Sequence, residues 1–232
     1  MTQVKDLVDA YDAFIRGCKS DGTWTAIKAS CIMAGWDGLA GALTPLVGTA
    51  PTNNNFVAGD YNRETGLVGD GSTKYLDSNR PSNADPQNSH HLSIYASTAP
   101  TSAAIVEIGA VNGTEVSQIG RVGSQTEMII LSRRLNSSVP RVNVDISNLG
   151  FRGVSRPSST TINARAASSN FVLSESSLAT GANTTNIFRR GGDGFSPSNG
   201  RYAFYSIGES LDLALLDARV TTLITAIGAA IP

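Results

Sequence analysis

The residues able to do chemistry are few and scattered. The only histidines, His90 and His91, are adjacent. Neighbours on a strand point to opposite faces, so one is expected against the core and the other in solvent. A metal site would need ligands from elsewhere, and none is expected. Glycoside hydrolysis needs two carboxylates about 5–9 Å apart. Glu107 and Glu115 flank the turn Val111-Asn112-Gly113 and so can face each other. No aromatic platform accompanies them, so they read as solvated surface, and no catalytic residue is assigned. Gly66 to Thr73 has the outline of a phosphate loop but lacks the lysine before its hydroxyl residue. No G-x-S-x-G elbow occurs. Asp60-Tyr61-Asn62 and Asp193-Gly194 are too sparse for calcium. Three Asn-x-Ser/Thr triplets, at Asn112, Asn136 and Asn183, read as chance in a chain this rich in Asn, Ser and Thr. Neither a metal nor a cofactor is expected.

The elements that position these residues follow from composition and pattern. The chain has 232 residues, 18 Lys plus Arg and 19 Asp plus Glu, for a net charge of −1. That balance offers no footprint for nucleic acid and no polybasic membrane signal. Charged residues are only 16%, and Gly, Ser, Thr and Asn fill the gap, which favours strands and turns over charged helices. No apolar run reaches the roughly 18 residues of a membrane span, so no membrane insertion is expected. Asp6, Asp9 and Asp12 interrupt the first residues, so no secretory signal is expected. Cys18 and Cys31 make no disulfide framework. Both are expected in helices, as buried hydrophobes or as one local bridge, in a protein made in a reducing cytoplasm.

Val4, Leu7, Val8, Tyr11, Ile15 and Cys18 form one helical stripe. Ser20-Asp21-Gly22 ends it, and Asp21 or Thr23 is placed to cap a second helix from Trp24 to Met33. From Leu39 to Ile207, short apolar or alternating runs recur between turn clusters. Examples are Leu92 to Ala96, Ala104 to Ile108, Met128 to Leu131, Val142 to Ile146, Ile162 to Ala166 and Tyr202 to Ile207. Such punctuation predicts an antiparallel sandwich. A final helix runs from Leu211 to Ile227, with Ser210 as its N-cap. Residues 1–38 are thus expected as a helical segment, and 39–232 as a β-sandwich with a C-terminal helix.

Four segments carry a resemblance: GLVGDGSTKYLDSN (66–79), the strand from His91 to Ser97, GVSRPSSTTINARA (153–166) and RYAFYSIGESLDL (201–213). Together they resemble the concanavalin-like, laminin-G-like jelly-roll domains of tailed-bacteriophage and prophage structural proteins, over residues 24–231. The resemblance implies a mainly β antiparallel jelly roll whose YSIGESL strand leads into an outer helix. The E-x-D-x-x-E strand of one glucanase group is absent, and the acids do not reproduce a legume-lectin calcium site.

The resemblance implies a non-enzymatic virion structural protein, either a capsid decoration or cement protein or a small tail-attached one. Its partners are then other virion proteins and further copies of itself, and its location is the virion. Val4, Leu7, Tyr11 and Ile15 are the expected assembly interface, packing on the chain's own domain being the other reading. The alternative function is a glycan-binding adhesin for host-surface sugars, and less favoured a glycosidase. In the adhesin reading Tyr61 and Tyr75 stack on sugar rings, and Asn83, Asp193 and Asn199 supply hydrogen bonds from polar loops.

Overall fold

The computed structural model describes residues 2–123, 125–135 and 141–231. The triplet at Asn136 lies outside them. The strands are β1 (Ile27–Ile32), β2 (Thr52–Asn54), β3 (Tyr61–Asn62), β4 (Gly66–Val68), β5 (Tyr75–Pro81), β6 (His90–Thr98), β7 (Ile105–Asn112), β8 (Glu115–Arg121), β9 (Glu127–Leu135), β10 (Arg141–Asp145), β11 (Gly150–Arg156), β12 (Thr161–Ala166), β13 (Ser169–Ser174), β14 (Thr184–Ile187), β15 (Arg190–Gly191) and β16 (Arg201–Gly208). The helices are α1 (Thr2–Ser20), the single turn α2 (Leu39–Ala42) and α3 (Leu213–Ala230).

The helix-side sheet runs β13-β12-β11-β6-β16-β4-β3, with β1 also paired to β16. The far sheet runs β10-β9-β8-β7-β14-β5-β2, with β15 also on β7. All pairs are antiparallel except β15 with β7. The alternating residues expected on strands do alternate: Ile162, Ala164 and Ala166 of β12 are buried, with Thr161, Asn163 and Arg165 between them half-exposed. Tyr202 to Ile207 lies within the central strand β16, between β6 and the pair β1 and β4. The core between the sheets gathers Leu76, Leu92, Ile94, Ile108, Ile119, Ile130, Val154 and Tyr205. The mainly β sandwich with a helix at each end is therefore as the sequence suggested.

Three local expectations are corrected. The second helix does not form. Residues 24–26 make one 3-10 turn, and 27–32 are strand β1 on β16. Ala29 and Cys31 enter the core between the sheets, while Ile27 and Ile32 face the helices. Ile27 and Cys31, with Trp24 before them, fall at spacings of four and three, which imitates helical spacing over a short window. β1 is part of the sandwich, so the boundary at residue 38 divides no separate unit. Cys18 and Cys31 are free and buried on opposite faces of the helix-side sheet, which excludes a bridge between them. The N-cap of α3 is Asp212, whose Oδ1 accepts from the Ala214 and Leu215 N–H groups at 2.8 and 3.2 Å. Ser210 instead meets Ser89, hydroxyl to hydroxyl, at 3.0 Å.

A second core lies outside the helix-side sheet. Leu7, Phe14 and Cys18 of α1 and Leu216, Val220, Leu223 and Ile227 of α3 cover Ile27, Ile32, Phe151 and Phe204. Asp21 accepts a bidentate pair of bonds from Arg219, at 2.7 and 2.9 Å, tying the end of α1 to α3. The expected interface stripe is therefore largely packed within the chain. Leu7 is buried, Tyr11 and Ile15 are half-buried, and only Val4, at 66% exposure, stands free. Phe14, which the stripe did not include, is its most buried large residue. α3 is also long and apolar enough to cross a bilayer by length and composition. Here it lies along the sheet with α1.

Candidate functional site

The acids expected at the surface are buried. Glu107 on β7 accepts from the Arg152 guanidinium on β11, and the Tyr202 hydroxyl donates to it at 3.2 Å. Both members of the ion pair are at most 1% exposed. Glu115 accepts from Ser117, Thr180 and Asn112 at 2.9, 2.8 and 3.2 Å. Burial raises its pKa, and those three donors oppose the rise. The two carboxylates occupy separate hydrogen-bond clusters and share no cavity among the described residues. They missed the surface because the sandwich interior accepts polar groups that are paired across it.

The histidines do point to opposite faces of β6, but both faces are covered. His90 meets the Ser132 hydroxyl of the far sheet at 3.0 Å. His91 meets Ser206 at 2.9 Å and the Glu209 carbonyl at 2.6 Å. Burial holds both imidazoles neutral, His91 down to about 4 and His90 well below its ordinary value. The phosphate-like loop is also filled from within. Asp70 accepts from the Ser72, Thr73 and Lys74 N–H groups, which a phosphate would otherwise use. No group of three metal-ligating side chains occurs among the described residues.

The five residues expected to bind glycan do not converge. The Tyr61 hydroxyl donates to the Trp36 carbonyl at 2.6 Å, and burial pushes its pKa up to about 12. The Tyr75 ring is capped by the Arg189 guanidinium, 3.2 Å from its centroid. Asp193 is held by Arg190, and Asn199 by Thr101 and Ser102. Asn83 lies beyond the far end of β5, where its N–H donates to Gly181 at 3.1 Å. Tyr75 begins this seven-residue strand and Asn83 lies past its other end, so one small ligand cannot touch both.

A different place has the form of a binding site. A groove of about 430 Å³ runs between the β12–β13 hairpin and the first turn of α3. Asn163, Asn170, Phe171, Val172, Leu211, Asp212 and Leu213 line it. Gly153 of β11 lets α3 begin so close: a Cβ there would meet Leu213 at 2.7 Å and the Phe151 ring at 2.9 Å. Asn170 accepts from Arg165 at 2.8 Å through its amide oxygen, leaving its NH2 to donate. Arg165 is itself fixed by Asp217 at 2.6 Å. Asp212 uses Oδ1 for the helix cap, leaving Oδ2 as an acceptor. The groove thus combines amide donors and a carboxylate acceptor with an aliphatic lining from Val172, Leu211 and Leu213, while Phe171 turns its ring to the core between the sheets. The sequence did not reveal it, because its two halves lie some forty residues apart and meet only through the packing of α3.

No protein-family model matches the chain, and no curated protein matches it in sequence. Solved structures do match. The botulinum neurotoxin serotype D binding domain superposes with a TM-score of 0.57 at 8% identity, over 85% of this chain and 51% of that one. The serotype C1 binding domain gives 0.56 at 12%, over 86% and 52%. The binding domain of neurotoxin DC in complex with SialylT gives 0.54 at 11%, over 88% and 51%. The chain spans about half the length of each. At these identities the likeness is one of fold, a two-sheet antiparallel β-sandwich.

Proposed function

We propose that this protein is a non-catalytic carbohydrate-binding module. The observation that carries the reading is the groove beside α3. Sugars present hydroxyl groups around a ring with apolar C–H faces. A site for them needs a few fixed polar groups on an otherwise apolar wall. Asn163, Asn170 and Asp212 supply the first, and Val172, Leu211 and Leu213 the second. The non-catalytic part is supported by Glu107 and Glu115, each committed to its own buried bonds. A glycan array tests it: the intact protein should retain a defined set of sugars, and Asn163→Ala with Asn170→Ala should lose them. Release of reducing ends from any retained polysaccharide would overturn the non-catalytic part.

The finer reading is a virion component of a bacteriophage, as capsid decoration or a small tail-attached protein. The segments 66–79, 153–166 and 201–213 support it through their resemblance to phage structural sandwiches. In that setting host-surface glycan is the ligand, and other virion proteins are the partners. Labelled protein on purified particles tests it, with binding at the head or at the tail separating the two placements.

A further inference from the structure

We infer that β13 is a dimerisation edge, pairing antiparallel with β13 of a second copy about a two-fold axis at Val172. This rests on the backbone and not on the glycan reading. Among the described residues, besides β13, the helix-side sheet ends on β3 and on β1, whose Ser30 is covered by the Leu46 and Val47 backbone, and the far sheet ends on β10 and β2. β3 has two residues and β2 has three. β10 ends on the charged Asp145. β13 is six residues long and uncharged, and no charge occurs from Ala166 to Ser174. Long neutral edges are the ones that recruit another strand.

The direction of the free backbone groups follows from the ladder. Ser174 pairs with Thr161 and Ser169 with Ala166, and the Glu175 N–H donates to the Thr160 carbonyl at 2.9 Å. Bonding alternates along an antiparallel pair, so Ser169, Phe171 and Leu173 bond inward to β12. Asn170, Val172 and Ser174 therefore turn their N–H and C=O groups outward. A two-fold axis at Val172 sets Val172 against its own copy and Asn170 against the other copy's Ser174. Every outward group of the edge is then satisfied, and no charge meets a charge. The self-complementarity is the reason to name a second copy over a foreign strand. Val172 is 74% exposed, and Leu215 of the neighbouring helix turn 40%. The pairing covers Val172 on the α3 side of the extended sheet.

Sedimentation of the full chain at increasing concentration should show twice the chain mass. Val172→Lys sets two like charges face to face and should give a single-chain mass. Val172→Pro should do the same, and at dilutions where the parent is also a single chain its melting curve should match the parent's, because the N–H it removes points outward. If Val172→Pro fails to fold, Val172→Lys decides. Cysteine variants test the register. Opposed Val172 α-carbons would lie roughly 5.5 Å apart, within disulfide reach. Ser174 and its own copy would be on the order of 14 Å apart, beyond it. Mild oxidation should therefore cross-link Val172→Cys and leave Ser174→Cys uncross-linked, since Cys18 and Cys31 are buried. A single-chain mass for the intact protein overturns the proposal. So does a dimer that survives Val172→Lys, or cross-linking of Ser174→Cys as readily as Val172→Cys.

Discussion

Arg152 and Glu107 form an ion pair across the interior of the sandwich, joining β11 of one sheet to β7 of the other. Arg152 also donates to the Ile146 and Asn148 carbonyls, at 2.6 Å each, so the guanidinium holds the turn after β10. Breaking such a pair strands a charge in the core. Glu107→Gln should cost about 3–5 kcal/mol. Replacing both members by Leu and Met should cost less than either single change. Urea midpoints of the two singles and the double measure this. A Glu107→Gln protein as stable as the parent would show that the interior is wetter than its burial implies.

Acid should weaken the fold through its histidines. Both are neutral when folded, His91 down to about 4, whereas an unfolded histidine titrates near 6.5. Below pH 6.5 the unfolded chain binds more protons than the folded one, so stability falls with pH until folded His91 also protonates near pH 4. His91 alone contributes a loss on the order of 3 kcal/mol over that window. The melting temperature should drop through the window, and His91→Gln should flatten the drop. A melting temperature constant across it would contradict the buried neutral state.

The N-terminal helix should be needed for stability. Phe14 is 2% exposed and packs edge-on against Phe204, ring centroids 5.8 Å apart. Phe14→Ala should cost about 3–5 kcal/mol. Removing residues 1–20 should leave an insoluble or much less stable chain. Val4→Ser should change stability by no more than about 0.5 kcal/mol. Thermal melts of the three proteins decide, and a truncated protein melting with the parent would return α1 to the role of an attachment arm.

The groove residues should separate binding from folding. Asn163 lies at the half-exposed face of β12, so Asn163→Ala should shift stability by no more than about 0.5 kcal/mol. It should still weaken retention on any sugar the parent binds. Equal retention by parent and variant would move the ligand elsewhere.

Alternation made the strands legible, because a period of two survives in β6, β10 and β12. β1 was not legible, since Ile27, Ala29 and Cys31 alternate with Lys28 and Ser30 over too few residues to outweigh the helical spacing of Trp24, Ile27 and Cys31. The layer outside the helix-side sheet was visible as two amphipathic helices, but not as one layer. Phe14 and Ala10 lie on the side of α1 that faces α3, and no local pattern names a partner some two hundred residues away. The buried acids were misread for a similar reason. Glu107 is polar in sequence and becomes interior only when β11 delivers Arg152. The glycan residues were chosen by type and loop composition, and four of the five turn out to be occupied by partners within the chain.

The meeting of α1 with α3, and of β1 with β16, orders events during synthesis. Tyr11 meets Trp36 and Ser30 meets Val47 early, but most of the apolar cover of α1 and β1 comes from β16 and α3 and exists only once residues 201–230 have been made. At about 5–20 residues per second, a nascent α1 waits roughly ten to forty seconds for its cover. Through that interval Leu7 and Phe14 face whatever is nearby, including the same helix on another ribosome's product. Contacts so distant in sequence also make for slow closure once the chain is free. α3 therefore acts as a latch: until it has been made and has emerged, the helix-side layer stays open over α1.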